Sequence, residues 1–226
     1  MGSCLLHEIG DTKMPQLITK FTQKIEYWAL HSKIIYWLGS QYYQNIIQNE
    51  ISLANITNND HILCIGGGIC PFSGILLHQA TGAKVTVIDN NKNCVSKAGQ
   101  VIRNLGLYEQ MHVYWQDGGS SALLLSEYTV IHFAMQVCPM DYVFSKVKKH
   151  AKPGTKLLVR LPKKYLGSMY SCLPEPLQTC RTFISHKKAG NIGKTMLYIK
   201  QEQSYEKEEV INSIDDSAVT GCAVTA

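Results

Sequence analysis

The stretch that most constrains this chain is a short apolar run that stops on three glycines, His61-Ile62-Leu63-Cys64-Ile65-Gly66-Gly67-Gly68, with a helix-like segment after it. A run of this length bounded by glycine reads as a buried strand. Glycines at the carboxyl end of a first strand let a ligand approach the backbone where a Cβ would clash. The amides that open the next helix then face polar or anionic ligand groups.

The rest of the chain repeats the pattern. Phe72–Thr81 reads as helix, Lys84–Ile88 as a second strand ending at Asp89, and Asn93–Leu105 as helix stopped by Gly106. His112–Trp115 is a third strand ending at Asp117, and Tyr128–Ala134 is a fourth. Asp141–His150 is helical, and Pro153-Gly154 turns the chain into a fifth strand, Lys156–Leu161. Alternation of this kind predicts a parallel sheet covered on both faces. Two further strands, Cys180–His186 and Thr195–Lys200, are joined by the glycine-containing linker Lys187–Lys194 and read as an antiparallel pair that closes the sheet. The expected fold is therefore α/β, with a Rossmann-like, mostly parallel seven-stranded sheet.

Two carboxylates give the glycine turn a ligand. A nucleotide needs an acid for its ribose hydroxyls at the end of the second strand, about 20 residues after the glycines, and Asp89 stands there. Asn90 follows it. Asp117 and Gly118 end the third strand, where a carboxylate or amide meets an adenine. In a dinucleotide fingerprint the third glycine would fall at Pro71, which cannot supply the close helix–strand packing of glycine. S-adenosylmethionine (SAM) folds relax this position, so SAM is the expected cofactor and NAD the runner-up. Gly66, Gly67, Gly68, Pro71, Ser73, Asp89, Asn90, Asp117, Gly118 and Gln136 are the expected cofactor-binding residues.

Around this unit the texture is different. Leu17, Phe21, Ile25, Trp28 and Ile35 recur at helical steps, and Trp37–Leu53 carries a second apolar face, with Gly39 expected to separate two helices. Residues 1–56 thus read as a short N-terminal helical cap, 57–201 as the SAM-binding domain and 202–226 as an acidic, disordered tail. The 226 residues suit one domain plus a modest addition. A net charge of +5, spread as isolated lysine pairs, is too weak and too dispersed for a nucleic-acid surface. Met1–Gly10 lacks the pattern of a signal peptide, and no apolar run approaches the ~20 residues of a membrane span. The eight cysteines form no C-x-x-C pair or zinc spacing. These features predict a cytoplasmic protein with no metal, no membrane and no nucleic-acid partner; a homodimer is compatible with them.

Three stretches resemble nicotianamine synthases. Gly66-Gly67-Gly68-Ile69-Cys70-Pro71-Phe72-Ser73 is similar to their G-x-G-P-L-P-x-[ST] turn, and Tyr42-Tyr43-Gln44-Asn45-Ile46 to their Y-Y-x-N-Y helix. Met140-Asp141, with His150, Pro153-Gly154, Leu157 and Arg160 downstream, resembles their M-D…H-x-x-P-G-x-x-L-x-x-R block. The resemblance spans roughly Trp37 to Gln201. It departs at Ile69 and Ile46, where the family has proline and tyrosine.

The resemblance implies a class I SAM-dependent methyltransferase fold that moves the 3-amino-3-carboxypropyl group of SAM to an amine or amino-acid acceptor. It releases methylthioadenosine in a metallophore-forming reaction. It also implies that a glutamate and a tyrosine position the attacking amine: Tyr42 or Tyr43, with Glu26 by position or Glu50 on the next helix face. Arg160, near the carboxyl end of the fifth strand, is expected to clamp a carboxylate. A small-molecule methyltransferase, releasing adenosylhomocysteine, and a non-catalytic SAM-binding protein are the alternatives. The absence of an N/D-P-P-[YF] motif after the fourth strand argues against amino- and adenine-N-methylation.

Overall fold

The computed structural model describes residues 33–120, 123–171, 173, 182–187 and 190–202. In chain order the elements are α1 (Lys33–Ala54), β1 (His61–Ile65), α2 (Phe72–Thr81), β2 (Lys84–Asp89), α3 (Lys92–Asn104), β3 (Met111–Trp115), β4 (Val130–Phe133), α4 (Met140–His150), β5 (Lys156–Pro162), β6 (Phe183–Ser185) and β7 (Ile192–Ile199). Short 3-10 helices stand at Leu125–Glu127 and Lys164–Met169. The seven strands form one sheet in the order β3-β2-β1-β4-β5-β7-β6. The first five run parallel, and β7 runs antiparallel to both β5 and β6.

Alternation along the strands divides the core in two. Ile62 and Cys64 of β1 face the layer of α1 and α2, and pack with Ile47, Phe72, Ile75, Val85, Val87 and Leu158. Leu63 and Ile65 face the α4 layer, and pack with Ile131, Phe133, Met140, Phe144 and Val159. The central strands are buried on both faces, which is why they read as unbroken apolar runs. In α4, Met140, Val143, Phe144 and Val147 make the buried stripe, and Lys148, Lys149 and His150 meet the negative helix end. Asn91 caps α3 by accepting from the amides of Asn93 and Cys94.

Two glycines do work that their sequence positions did not announce. Gly39 does not separate helices; it lies inside α1, where a Cβ would sit 2.7 Å from Cζ of Phe72, so it is the notch that receives the Phe72 ring. Gly193 was expected in the linker, yet it lies in β7, which begins three residues earlier than the pattern suggested. A Cβ there would come within 2.9 Å of the Pro162 carbonyl, so only glycine lets the strand close on β5. Among the described residues no helix is long and apolar enough to cross a membrane.

Gly74 performs the helix–strand packing that Pro71 cannot. It is buried in α2, and a Cβ on it would lie 3.1 Å from Val85 and 3.3 Å from Val87 of β2. Gly74→Val should therefore lower stability by about 2 kcal/mol, because overpacking outweighs valine's better helix propensity. A denaturant titration reads this as a lower midpoint with an unchanged slope.

Candidate active site

The sheet order reverses between β1 and β4, and a crevice opens at their carboxyl ends, where doubly wound sheets place ligands. Its wall is the glycine turn. Gly66 and Gly68 adopt φ of +84° and +63°, and a Cβ on Gly67 would collide with Val87. The amides of Gly66 and Gly67 both donate to the Ile88 carbonyl, tying the turn to the end of β2. Asp89 completes the tie: its Oδ2 accepts from the Gly68 amide at 2.8 Å and its Oδ1 from the Asn91 amide at 2.9 Å.

One half of the crevice, about 880 Å³ including its open mouth, lies between β1, β2 and β3. Gly66, Gly68, Asp89, Asn90, Asp117, Gly118 and Gln136 line it, with Ile88, Val137 and Val143 as apolar walls. Its size and its few polar groups on an apolar frame suit a small ligand. Asp117 is held by the Gly119 amide at 2.7 Å, and Gly118 is required because a Cβ would lie 2.6 Å from Ile65.

The second half opens between α1, α2, β4 and the start of β7. Gly67, Pro71, Ser73 and Tyr43 line it, along with Phe72, His132, Arg160 and Asn191. Gly66, Ile65 and Gln136 belong to both halves. Tyr43 stacks on Phe72, with ring centroids 5.8 Å apart, and the Arg160 guanidinium lies 5.3 Å from the Tyr43 ring centre. Tyr42 turns the other way: its hydroxyl donates to Asn191 Oδ1 at 2.6 Å. Of the two adjacent tyrosines, Tyr43 is in the crevice and Tyr42 braces its rim.

Beneath this half is a buried polar cluster. Glu50 of α1 is fully buried and accepts from Arg160 Nε and Nη2, both at 2.7 Å, in a two-pronged pair. The remaining guanidinium nitrogen, Nη1, donates to Ser73 Oγ at 2.7 Å. Thr195 of β7 donates its hydroxyl to Glu50 Oε1 at 2.7 Å. Because that proton is spent, Thr195 accepts from His186 at 2.8 Å, which places a proton on His186 Nε2. His132 Nε2 lies 3.3 Å from Glu50 Oε2 but out of line, so it has no hydrogen-bond partner among the described residues. Arg160 is thus committed to a neighbour and is not the free carboxylate clamp expected from its position.

No protein-family model and no curated protein matches this chain. Solved structures do. MtNAS, in a point-substituted form in complex with S-adenosylmethionine, superposes with a TM-score of 0.68 over 85% of this chain and 76% of its own, at 20% identity. MtNAS in complex with MTA and tNA gives 0.67 over 85% and 74%, also at 20% identity. An RNA methyltransferase from Salinibacter ruber, in complex with S-adenosyl-L-homocysteine, gives 0.56 over 72% and 94% at 15% identity. The fold is that of the SAM-dependent methyltransferases.

Within that fold, every expected cofactor-binding residue stands on the crevice. Glu26 lies outside the described residues. Glu50, its alternative, is under the floor of the crevice and not on its surface. The Glu50 cluster was missed, although a signal existed: Ile47, Glu50 and Ala54 share one helical face, so a carboxylate stands in an apolar stripe and requires a buried partner.

The cluster sets the pH response. Burial alone would raise the Glu50 carboxyl, but the Arg160 charge, and next His132, outweigh it and hold the group well below the usual carboxylate range. Burial pushes His132 below its ordinary value near 6.5, and the Arg160 charge adds to this. His186 is lowered chiefly by burial as well. A group lowered on folding binds its proton more readily in the unfolded chain. Its stabilisation is complete above the unfolded value and is lost as pH falls. The melting temperature should therefore decline from pH 7.5 to 5.5, and His132→Gln should flatten that decline, as read by thermal melts across the range.

Proposed function

We propose that this chain is a SAM-dependent transferase that moves the 3-amino-3-carboxypropyl group of SAM to the nitrogen of a small amine or amino acid, releasing methylthioadenosine. The observation that carries the reading is the two-part crevice. An acid-ended, nucleotide-sized half meets an aromatic half across Gly66 and Gln136. The reacting carbon would lie at that junction, with the nucleoside on one side and the acceptor on the other. The likeness to MtNAS, solved with SAM and with MTA and tNA, supports it.

In this reading Asp89 accepts from the ribose hydroxyls while its loop bonds hold it in place, with Asn90 beside it. Asp117 and Gly118 border the adenine. Gly66, Gly67 and Gly68 admit the ligand to the backbone, and Pro71, Ser73 and Gln136 border its amino-acid end. Tyr43 holds the acceptor nitrogen with its lone pair in line with the departing sulfur. Tyr42 contributes by fixing Asn191. Glu26, which the family resemblance suggests, is the carboxylate proposed to stabilise the attacking amine. The nitrogen lone pair forms the C–N bond, the C–S bond breaks, and sulfur takes that electron pair to become a thioether. No metal is invoked.

We further assign residues 1–56 as a cap, 57–201 as the SAM-binding domain and 202–226 as a tail, and place the protein in the cytoplasm making a metallophore. The cap's share of the aromatic half supports its role beside the acceptor.

The deciding experiment incubates the protein with SAM and an amine or amino-acid panel and identifies the nucleoside released. Methylthioadenosine is expected; adenosylhomocysteine would make the protein a methyltransferase instead. Asp89→Ala should weaken SAM binding about 100-fold, measured by calorimetry, because hydrogen bonds to a charged group are lost. Tyr43→Phe should leave SAM affinity unchanged and slow turnover about tenfold.

A further inference from the structure

The buried cluster under the crevice poses a question of charge. A SAM ligand carries a sulfonium cation, and in the transfer that positive charge passes from sulfur to the acceptor nitrogen. Arg160 lines the half of the crevice where both events would occur. An unpaired guanidinium in so buried a position would repel the ligand strongly, since charges in low dielectric interact over many ångströms. Glu50 removes that repulsion. It binds two of the guanidinium nitrogens, is held by Thr195, and does not itself line the crevice.

The cation nonetheless does local work. Its third nitrogen donates to Ser73 Oγ, which keeps its own hydroxyl proton to donate, and the guanidinium lies 5.3 Å from the Tyr43 ring centre. Replacing a buried ion pair by apolar residues is often neutral or stabilising. A pair placed at a site wall, with its spare donor bonded to a lining residue, therefore points to a role in the site.

We infer that Glu50 is an electrostatic positioning residue: its carboxylate cancels the Arg160 charge beneath the crevice while Arg160 orients Ser73 and Tyr43, so that a sulfonium ligand meets an ordered but uncharged floor. This rests on the SAM-dependent reading above. The chemical balance is that of the transfer itself: C–N forms, C–S breaks, sulfur keeps the electron pair, and the resulting ammonium loses its proton to solvent.

The test compares the affinities of S-adenosylmethionine, with its sulfonium, and S-adenosylhomocysteine, a neutral thioether, by calorimetry on the full chain. Glu50→Gln keeps the shape and removes the charge. It should lower the ratio of the two affinities about tenfold against wild type. Glu50→Asp keeps the charge and should preserve the ratio. A merely structural glutamate would weaken both ligands alike in both variants, and that result overturns the inference. If circular dichroism finds Glu50→Gln unfolded, Arg160→Gln at pH 8 exposes the opposite charge and should raise the ratio at least threefold; a ratio at or below wild type overturns it. Wild-type protein that binds neither ligand would overturn the SAM reading itself, whereas binding of both with an unmoved ratio would overturn only the role of Glu50.

Discussion

One buried carboxylate joins the helical layer to the sheet. Glu50 leaves α1 and meets Arg160 of β5, Thr195 of β7 and, more loosely, His132 of β4. Through Arg160 it reaches Ser73 at the start of α2. Five elements are thus fixed relative to one another by a single residue. Removing one partner of such a pair costs about 3–5 kcal/mol, because the other is left charged and dry. The aromatic half of the crevice owes its shape to this junction, since Tyr43 is carried by the same helix two turns earlier and lies against the same guanidinium.

The half of the crevice between β1, β2 and β3 rests on a different kind of constraint. There the backbone itself is the instrument: Gly66 and Gly68 in left-handed conformations, Gly67 under Val87, and Gly118 against Ile65. Asp89 serves that backbone twice over, through Gly68 and Asn91. Substituting it would disturb the turn as well as any ligand. The two halves therefore respond to change differently, one through charge and the other through chain path.

Much of this was legible in the sequence because it depends on local periodicity. The span of α2 and the ends of β2 and β3 follow from apolar runs stopped by glycine or aspartate, so Asp89 and Asp117 could be assigned to strand ends without coordinates. What escaped depended on contacts distant in sequence. Gly39 reads as a break until Phe72 is seen to fill its notch, and Gly193 reads as a loop residue until Pro162 is seen beside it. Arg160 looked free because its partner lies 110 residues away on an element of different type. Tyr42 and Tyr43 could not be separated by spacing, because which of them faces inward depends on the rotation of α1 against the hairpin that carries Asn191.

The same separation has a temporal side. On a growing chain Glu50 emerges long before Arg160, and until β5 exists its carboxylate has every reason to stay hydrated. The glycine turn is tied instead to Ile88 and Asp89 at the end of β2. Ile47 of α1 packs on β1 and α2, but the polar contacts of Glu50 are complete only with β5 and with Thr195 on β7. Every polar partner of Glu50 thus follows it in the chain, and the aromatic half of the crevice is complete only once the start of β7 has been added.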